Sequence, residues 1–208
     1  MSVYFQASIQ TMNRPPPSID TTLTNLKPVG TVVWIHGRSA SGKSTLSLRV
    51  AEDWDRHTGH PCVILDGDEY RKSVSADLGF DSSSRAENIR RAALTARLLA
   101  SQGFTVLVAF ETPTQDLRLQ ARNLVSGVRF IEVALRCSLE CCMRRDPKGL
   151  YLAAARKLIE GLSGVDAPFD DPETAELVIN TEHCKPVAAA ESVVQLLLSR
   201  GMREPIGS

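Results

Sequence analysis

Nine consecutive residues, Gly37-Arg38-Ser39-Ala40-Ser41-Gly42-Lys43-Ser44-Thr45, have the types and spacing to hold a chain of phosphates. They fit Gly-x-x-x-x-Gly-Lys-Ser/Thr, a loop whose backbone N–H groups converge on an anion at the start of a helix. Gly37 and Gly42 admit the backbone angles of a tight cradle and leave room for phosphate oxygens. Lys43 is a point charge for the β- and γ-phosphates, and Ser44 offers a hydroxyl to Mg2+. The ligand implied is a nucleoside triphosphate.

A second constellation is Asp66-Gly67-Asp68-Glu69-Tyr70-Arg71. Asp66 and Asp68, two apart at the end of a strand, can share one site. One can hold Mg2+ through water while the other accepts the proton of an attacking hydroxyl, and the residue types leave open which does which. Arg71, Arg85 and Arg90 can grip phosphate or sulfate oxygens in fork geometry. Arg91 and Arg97 read as a solvated helix face. Phe80, in Leu78-Gly79-Phe80, suits stacking on a base, and His36 suits packing at a strand end.

Positioning these groups requires a sheet. Apolar runs at 32–35, 62–65, 104–110, 130–135 and 177–179 are nearly continuous, as strands buried on both faces are. Helical patterns near 43–57, 85–102, 115–125, 138–145 and 186–200 alternate with them. That alternation predicts an α/β, three-layer, doubly wound parallel five-stranded sheet. Ligands in such sheets bind beyond the carboxyl ends of the strands, where these charges collect. Ser84-Arg85-Ala86-Glu87 has capping-box spacing for the second helix, and Pro186 and Gly201 frame the last one. The stretch 146–172, charged and punctuated by Gly and Pro, suits a lid that excludes water.

We read 1–28 as an irregular leader, in which Tyr4-Phe5-Gln6 resembles the end of a protease-site tag. Residues 29–202 read as one domain and 203–208 as a tail. At 208 residues the chain is long enough for one core. Lys+Arg and Asp+Glu both number 24, which gives no basic surplus for nucleic acid and favours a small-molecule acceptor. No apolar run approaches the roughly 18 residues of a membrane span. The five cysteines lack a two-by-two zinc spacing and read as free thiols.

Taken together, the phosphate loop and five further blocks resemble the adenylylsulfate kinase family of P-loop kinases over about 30–201. The blocks are Leu65-Asp66-Gly67-Asp68-Glu69-Tyr70-Arg71, Asp77-Leu78-Gly79-Phe80, Arg85-Ala86-Glu87-Asn88-Ile89-Arg90-Arg91, Arg145-Asp146-Pro147-Lys148-Gly149-Leu150-Tyr151 and Gly164-Val165-Asp166-Ala167-Pro168. The resemblance implies transfer of the ATP γ-phosphoryl group to the 3′-hydroxyl of adenosine 5′-phosphosulfate, with ATP and Mg2+, by a cytoplasmic homodimer. By position it makes Lys43, Asp66, Asp68 and Thr112 catalytic candidates and Ser44 and Asp66 the Mg2+ candidates. It makes Arg71, Arg85 and Asn88 contacts to the acceptor, Phe80 one face of an adenine sandwich, Lys148 a lid contact, and Arg145 a contact to the donor nucleotide.

The departures from the family pattern fall in the acceptor half. Glu111 replaces an aliphatic residue and places a carboxylate where an anionic phosphosulfate would lie. Two like charges about 5 Å apart repel by about 3 kcal/mol at an effective dielectric near 20. Thr112 replaces a serine that is phosphorylated in family members and keeps its hydroxyl. Leu162 stands where a phenylalanine would form the second adenine face, so Leu162→Phe is expected to tighten acceptor binding. Glu160 and Glu69 replace a Lys and an Asn. An alternative reading is therefore a kinase of the same lineage with another nucleotide-linked acceptor, such as a phosphoramidate.

Overall fold

The computed structural model describes residues 30–201, so the expected leader and tail lie outside the described residues. Five strands, β1 (Thr31–His36), β2 (Val63–Asp66), β3 (Thr105–Ala109), β4 (Arg129–Arg136) and β5 (Leu177–Asn180), form one sheet. Their order is β2-β3-β1-β4-β5, and every pairing is parallel. Seven helices accompany them: α1 (Lys43–Thr58), α2 (Gly67–Lys72), α3 (Ser82–Ser101), α4 (Gln115–Leu124), α5 (Leu139–Arg145), α6 (Leu150–Ala155) and α7 (Pro186–Ser199). The α/β parallel sheet is the architecture the alternating pattern predicts.

Strand side chains alternate between two helical layers, as the two-residue period demands. Val33, Ile35, Leu107, Ile131 and Val133 face a cluster with Val50 and Trp54 of α1 and Val193 and Leu197 of α7. Val32, Trp34, Val106 and Val108 face the opposite cluster with Ala92, Ala93, Ala96 and Ala100 of α3 and Ala121 of α4. The small residues along α3 let that helix lie close on the sheet. No helix among the described residues is long and apolar enough to cross a membrane.

One expected element needs correction. The capping box at Ser84–Glu87 does not start α3: Asp81 is the N-cap and accepts the Ser84 N–H at 3.0 Å, so the helix opens at Ser82. Glu87 instead pairs with Arg90 and Arg91 along the helix surface. The segment after β2 is a short helix, α2, because Asp66 accepts the Asp68 N–H at 2.9 Å and caps it. The lid holds one short helix, α6, entered through Gly149 in the left-handed region at φ 66. Both helices are six residues long, too short for a 3.6-residue period to show. Pro186 does open α7, and Gly201 follows its end at φ 69.

Candidate active site

The turn between β1 and α1 begins with Gly37, where a Cβ would lie 2.7 Å from Ser41 Oγ and 2.9 Å from the Leu135 carbonyl oxygen. Gly42 is the N-cap of α1 at φ 99, a left-handed conformation that penalises any Cβ. The next residue, Lys43, folds back over the loop and donates to the Gly37 and Arg38 carbonyls at 2.9 and 2.8 Å. Burial pulls its pKa down, partly offset by Glu111. A phosphate in the cradle would favour the charged ammonium. Ser44 Oγ donates to Asp66 Oδ2 at 2.6 Å. A hydroxyl and a carboxylate in contact are hard oxygen donors suited to Mg2+.

A cleft of about 1120 Å3 runs from this loop across the sheet end. That exceeds the usual size of a single small-molecule site. The structure brings Ser39 to Thr45, Asp66, Asp68, Arg71, Phe80, Arg85, Asn88, Glu111, Arg145, Lys148 and Leu162 onto its walls. Asp68 and Lys148 form an ion pair across its mouth, both half exposed. Arg71 donates to the Gly79 carbonyl at 2.7 Å and stacks its guanidinium 4.5 Å over the Phe80 ring. Burial, then the neighbouring Arg85, lowers the Arg71 pKa. An anion between these two arginines would relieve both effects.

Arg85 reaches the lid, donating to the Gly161 carbonyl at 2.9 Å, and lies 3.9 Å from Glu111. Glu111 therefore stands beside a cation, which offsets the repulsion expected from it. Its Oε1 is buried without a hydrogen-bond partner among the described residues, as is Oδ1 of Asn88. Two orphaned acceptors in one wall are groups a ligand donor can satisfy. The lid is docked rather than open. Tyr151 donates to the Ser39 carbonyl at 3.0 Å, and the Asp166 carboxylate accepts the Gly161 and Leu162 N–H groups.

Several expectations are corrected by these placements. Thr112 is fully buried, away from the cleft, and its hydroxyl accepts the Trp34 indole N–H at 2.8 Å. Just past the end of β3 the chain turns Thr112 into the core, which the sequence motif does not reveal. Arg38 points away from the cleft: it donates to the Cys137 carbonyl at 3.3 Å and lies 4.3 Å over the Phe169 ring. Gly37 is sealed behind the loop against Leu135 and does not line the cleft. Arg90 is paired on the α3 surface and does not line it either. Leu162 touches the cleft but is only 7% exposed and packs with Cys137, Cys141, Cys142 and Tyr151.

His36 is a packed strand-end residue, as expected. Its Nε2 lies 3.1 Å from Glu132, which also pairs with Arg118 and Arg122 beneath the sheet end. Burial lowers the His36 pKa despite Glu132. Sequence reasoning missed Ile159 and the Thr181–Pro186 segment, which form the far wall of the cleft. Arg145 donates to the Thr181 carbonyl at 2.6 Å and so ties α5 to that wall. The available signal was positional: Thr181 follows the end of β5, where sheet ligands bind.

Comparison with known proteins follows this geometry. Residues 29–180 match the family model described as adenylylsulphate kinase. A probable adenylyl-sulfate kinase of Bacillus subtilis is 40% identical over 164 residues, 76% of this chain and 83% of that one. Adenylyl-sulfate kinase 3 of Arabidopsis thaliana is 38% identical over 179 residues, covering 85% and 86%. Among solved structures, the Mycobacterium tuberculosis APS kinase CysC in complex with AMPPNP and APS superposes with a TM-score of 0.79 at 38% identity, covering 82% of this chain and 99% of that one.

Proposed function

The chain belongs to the adenylylsulphate kinase family, and from that premise we propose that it transfers the γ-phosphoryl group of ATP to the 3′-hydroxyl of adenosine 5′-phosphosulfate. The observation that carries the reading is the single cleft in which the phosphate loop and the Arg71–Arg85 pair face one another. One end suits a triphosphate and the other a second anionic nucleotide.

Lys43 leaves the loop carbonyls to meet the β- and γ-phosphate oxygens and neutralises charge as the γ-phosphoryl group moves. Ser44 and Asp66 would hold Mg2+, which supplies charge neutralisation on the same oxygens. Asp66 is committed on both carboxylate oxygens, to Ser44 and to the Asp68 N–H. Among the described residues the Asp68 carboxylate is engaged only through Lys148, so it is the carboxylate we assign to orient the acceptor hydroxyl and accept its proton. Arg71 and Arg85 hold the acceptor anion, Phe80 stacks on its base, and Asn88 accepts from it. Arg145 and the Thr181–Pro186 wall flank the donor base. Homodimerisation and a cytoplasmic setting are proposed from the family alone.

The test is Mg2+-dependent ADP release with adenosine 5′-phosphosulfate or other nucleotide acceptors, with product mass determined. Formation of the 3′-phosphorylated adenylylsulfate at micromolar acceptor is the expected result. ADP release only with a different acceptor would instead favour the second reading, to which Glu111 inside the acceptor wall lends support.

A further inference from the structure

Against the donor wall, and sharing Glu182 with it, lies a group that takes no part in the phosphoryl transfer itself. Sγ of Cys137, Sγ of Cys141 and a carboxylate oxygen of Glu182 all lie within 4.8 Å of one another. The two thiols are 5% and 7% exposed and free. We propose that Cys137, Cys141 and Glu182 form a binding site for a thiophilic divalent cation of the zinc class.

The chemistry of the corners selects the ion. Two sulfurs and one carboxylate make a soft, three-ligand set, and Mg2+ or Ca2+ would want oxygens throughout. Zn–S bonds of about 2.3 Å and a Zn–O bond of about 2.0 Å in a tetrahedron put the sulfurs about 3.8 Å apart and each sulfur about 3.5 Å from the oxygen, so the observed spread needs a contraction of about 1.3 Å or less. A water fills the fourth position. A disulfide would use the sulfurs alone; the carboxylate as third corner points to an ion.

The scaffold holds the corners in register. Cys137 leaves the end of β4, Cys141 lies in the first turn of α5, and Glu182 follows β5. Ser138 links all three elements: its side chain accepts the Cys141 N–H at 3.1 Å and its own N–H donates to Glu182. A second cavity of about 290 Å3, lined by Cys137, Ser138 and Glu182, gives an ion a route in. Burial, then the adjacent cysteines, raises both thiol pKa values. Binding balances as Zn2+ plus two thiols plus one carboxylate going to a bis-thiolate carboxylate complex of charge −1 plus two protons. Arg145, further along α5, works against that rise at Cys141 and would face the negative charge of the complex.

The occupied site would clamp the start of α5 to the loop after β5. Arg145 bridges those same two segments, so the ion would stiffen the wall that flanks the donor base. This inference does not depend on the identity of the acceptor.

Titration of the chelator-stripped, phosphine-reduced protein with Cd2+ alone tests it. The expected result is a thiolate-to-cadmium ultraviolet band saturating at one equivalent, release of two protons, and a Zn2+-dependent rise in Tm. Cys137→Ser and Cys141→Ser should each weaken binding by about a hundredfold or more, since groups that merely hydrogen-bond to metal ligands are worth about 10–100-fold. The double variant should lose both the band and the Tm rise while its far-ultraviolet circular dichroism is kept. Cys62→Ser, outside the cluster, should bind as the parent does. A band that survives in the double variant, or no stoichiometric band in the folded parent, overturns the proposal.

Discussion

The two ends of the cleft are built in opposite ways. The donor end is one unbroken turn whose working groups are mainly backbone N–H and whose cation, Lys43, is held by the same turn's carbonyls. The acceptor end gathers Arg71, Phe80, Arg85, Asn88, Glu111 and Leu162 from separate segments and leaves two buried oxygens without partners among the described residues. A backbone-made site depends on fold and a few glycines, so it tolerates little change and advertises itself. A side-chain-made site can be retuned one residue at a time. Three departures from the family pattern, Glu111, Glu160 and Leu162, fall in the second kind of site, as that difference allows, while Thr112 and Glu69 lie off the cleft.

Breaking the donor end should have the largest effect. Lys43→Ala is expected to cost about a thousandfold or more in kcat, the scale on which single cations act on transferring phosphoryl groups. Steady-state ADP release with a folding check by circular dichroism measures it, and turnover within tenfold of the parent would refute the role given to Lys43.

At the acceptor end the costs are smaller and divide between stability and binding. Leu162→Phe overfills a packed cluster, so a loss of about 1–3 kcal/mol in unfolding free energy is expected. A denaturant midpoint at or above that of the parent would show that the ring finds room in the cleft and would restore the sandwich reading. Asn88→Ala removes an acceptor the free protein does not satisfy. Stability should hold while the acceptor KM rises about tenfold, the value of one hydrogen bond of about 1.4 kcal/mol. A matching rise in the ATP KM would place Asn88 on the wrong substrate. Finally, Glu111→Gln frees Arg85 of its counter-charge and should lower the KM for an anionic acceptor by about threefold. A raised KM would mean that Glu111 itself binds the acceptor, as the alternative substrate reading requires.

These sites also differ in how far the sequence discloses them. The phosphate loop is local, so Lys43, Ser44 and Gly42 could be read from spacing alone. The strands are buried on both faces and therefore written as plain apolar runs. Asp66, Asp68, Arg71 and Arg85 can be proposed from residue type and their place after the strands, Lys148 only from the family blocks, and the fold brings them onto one cleft. What escaped detection depends on side-chain direction or on distant chain segments meeting. Thr112 and Arg38 lie beside strand ends yet turn away from the cleft, one toward Trp34 and the other toward Phe169. The Thr181–Pro186 wall has no motif because its role comes from where β5 ends. Helices α2 and α6 are held by a cap and by lid contacts rather than by an amphipathic stripe.

The sheet order carries a consequence for how the protein is made. β1, which presents the phosphate loop, lies at the centre of the sheet, and Thr31 pairs with Thr105 on one side and Arg129 on the other. At a synthesis rate of about 5–20 residues per second, the nascent strand waits seconds on the ribosome before either neighbour emerges. Throughout that interval its Val32-Val33-Trp34-Ile35 core run has no native edge to join. A nucleotide held by the proposed Thr181–Pro186 wall cannot reward early folding of the loop, because that wall is translated long after it.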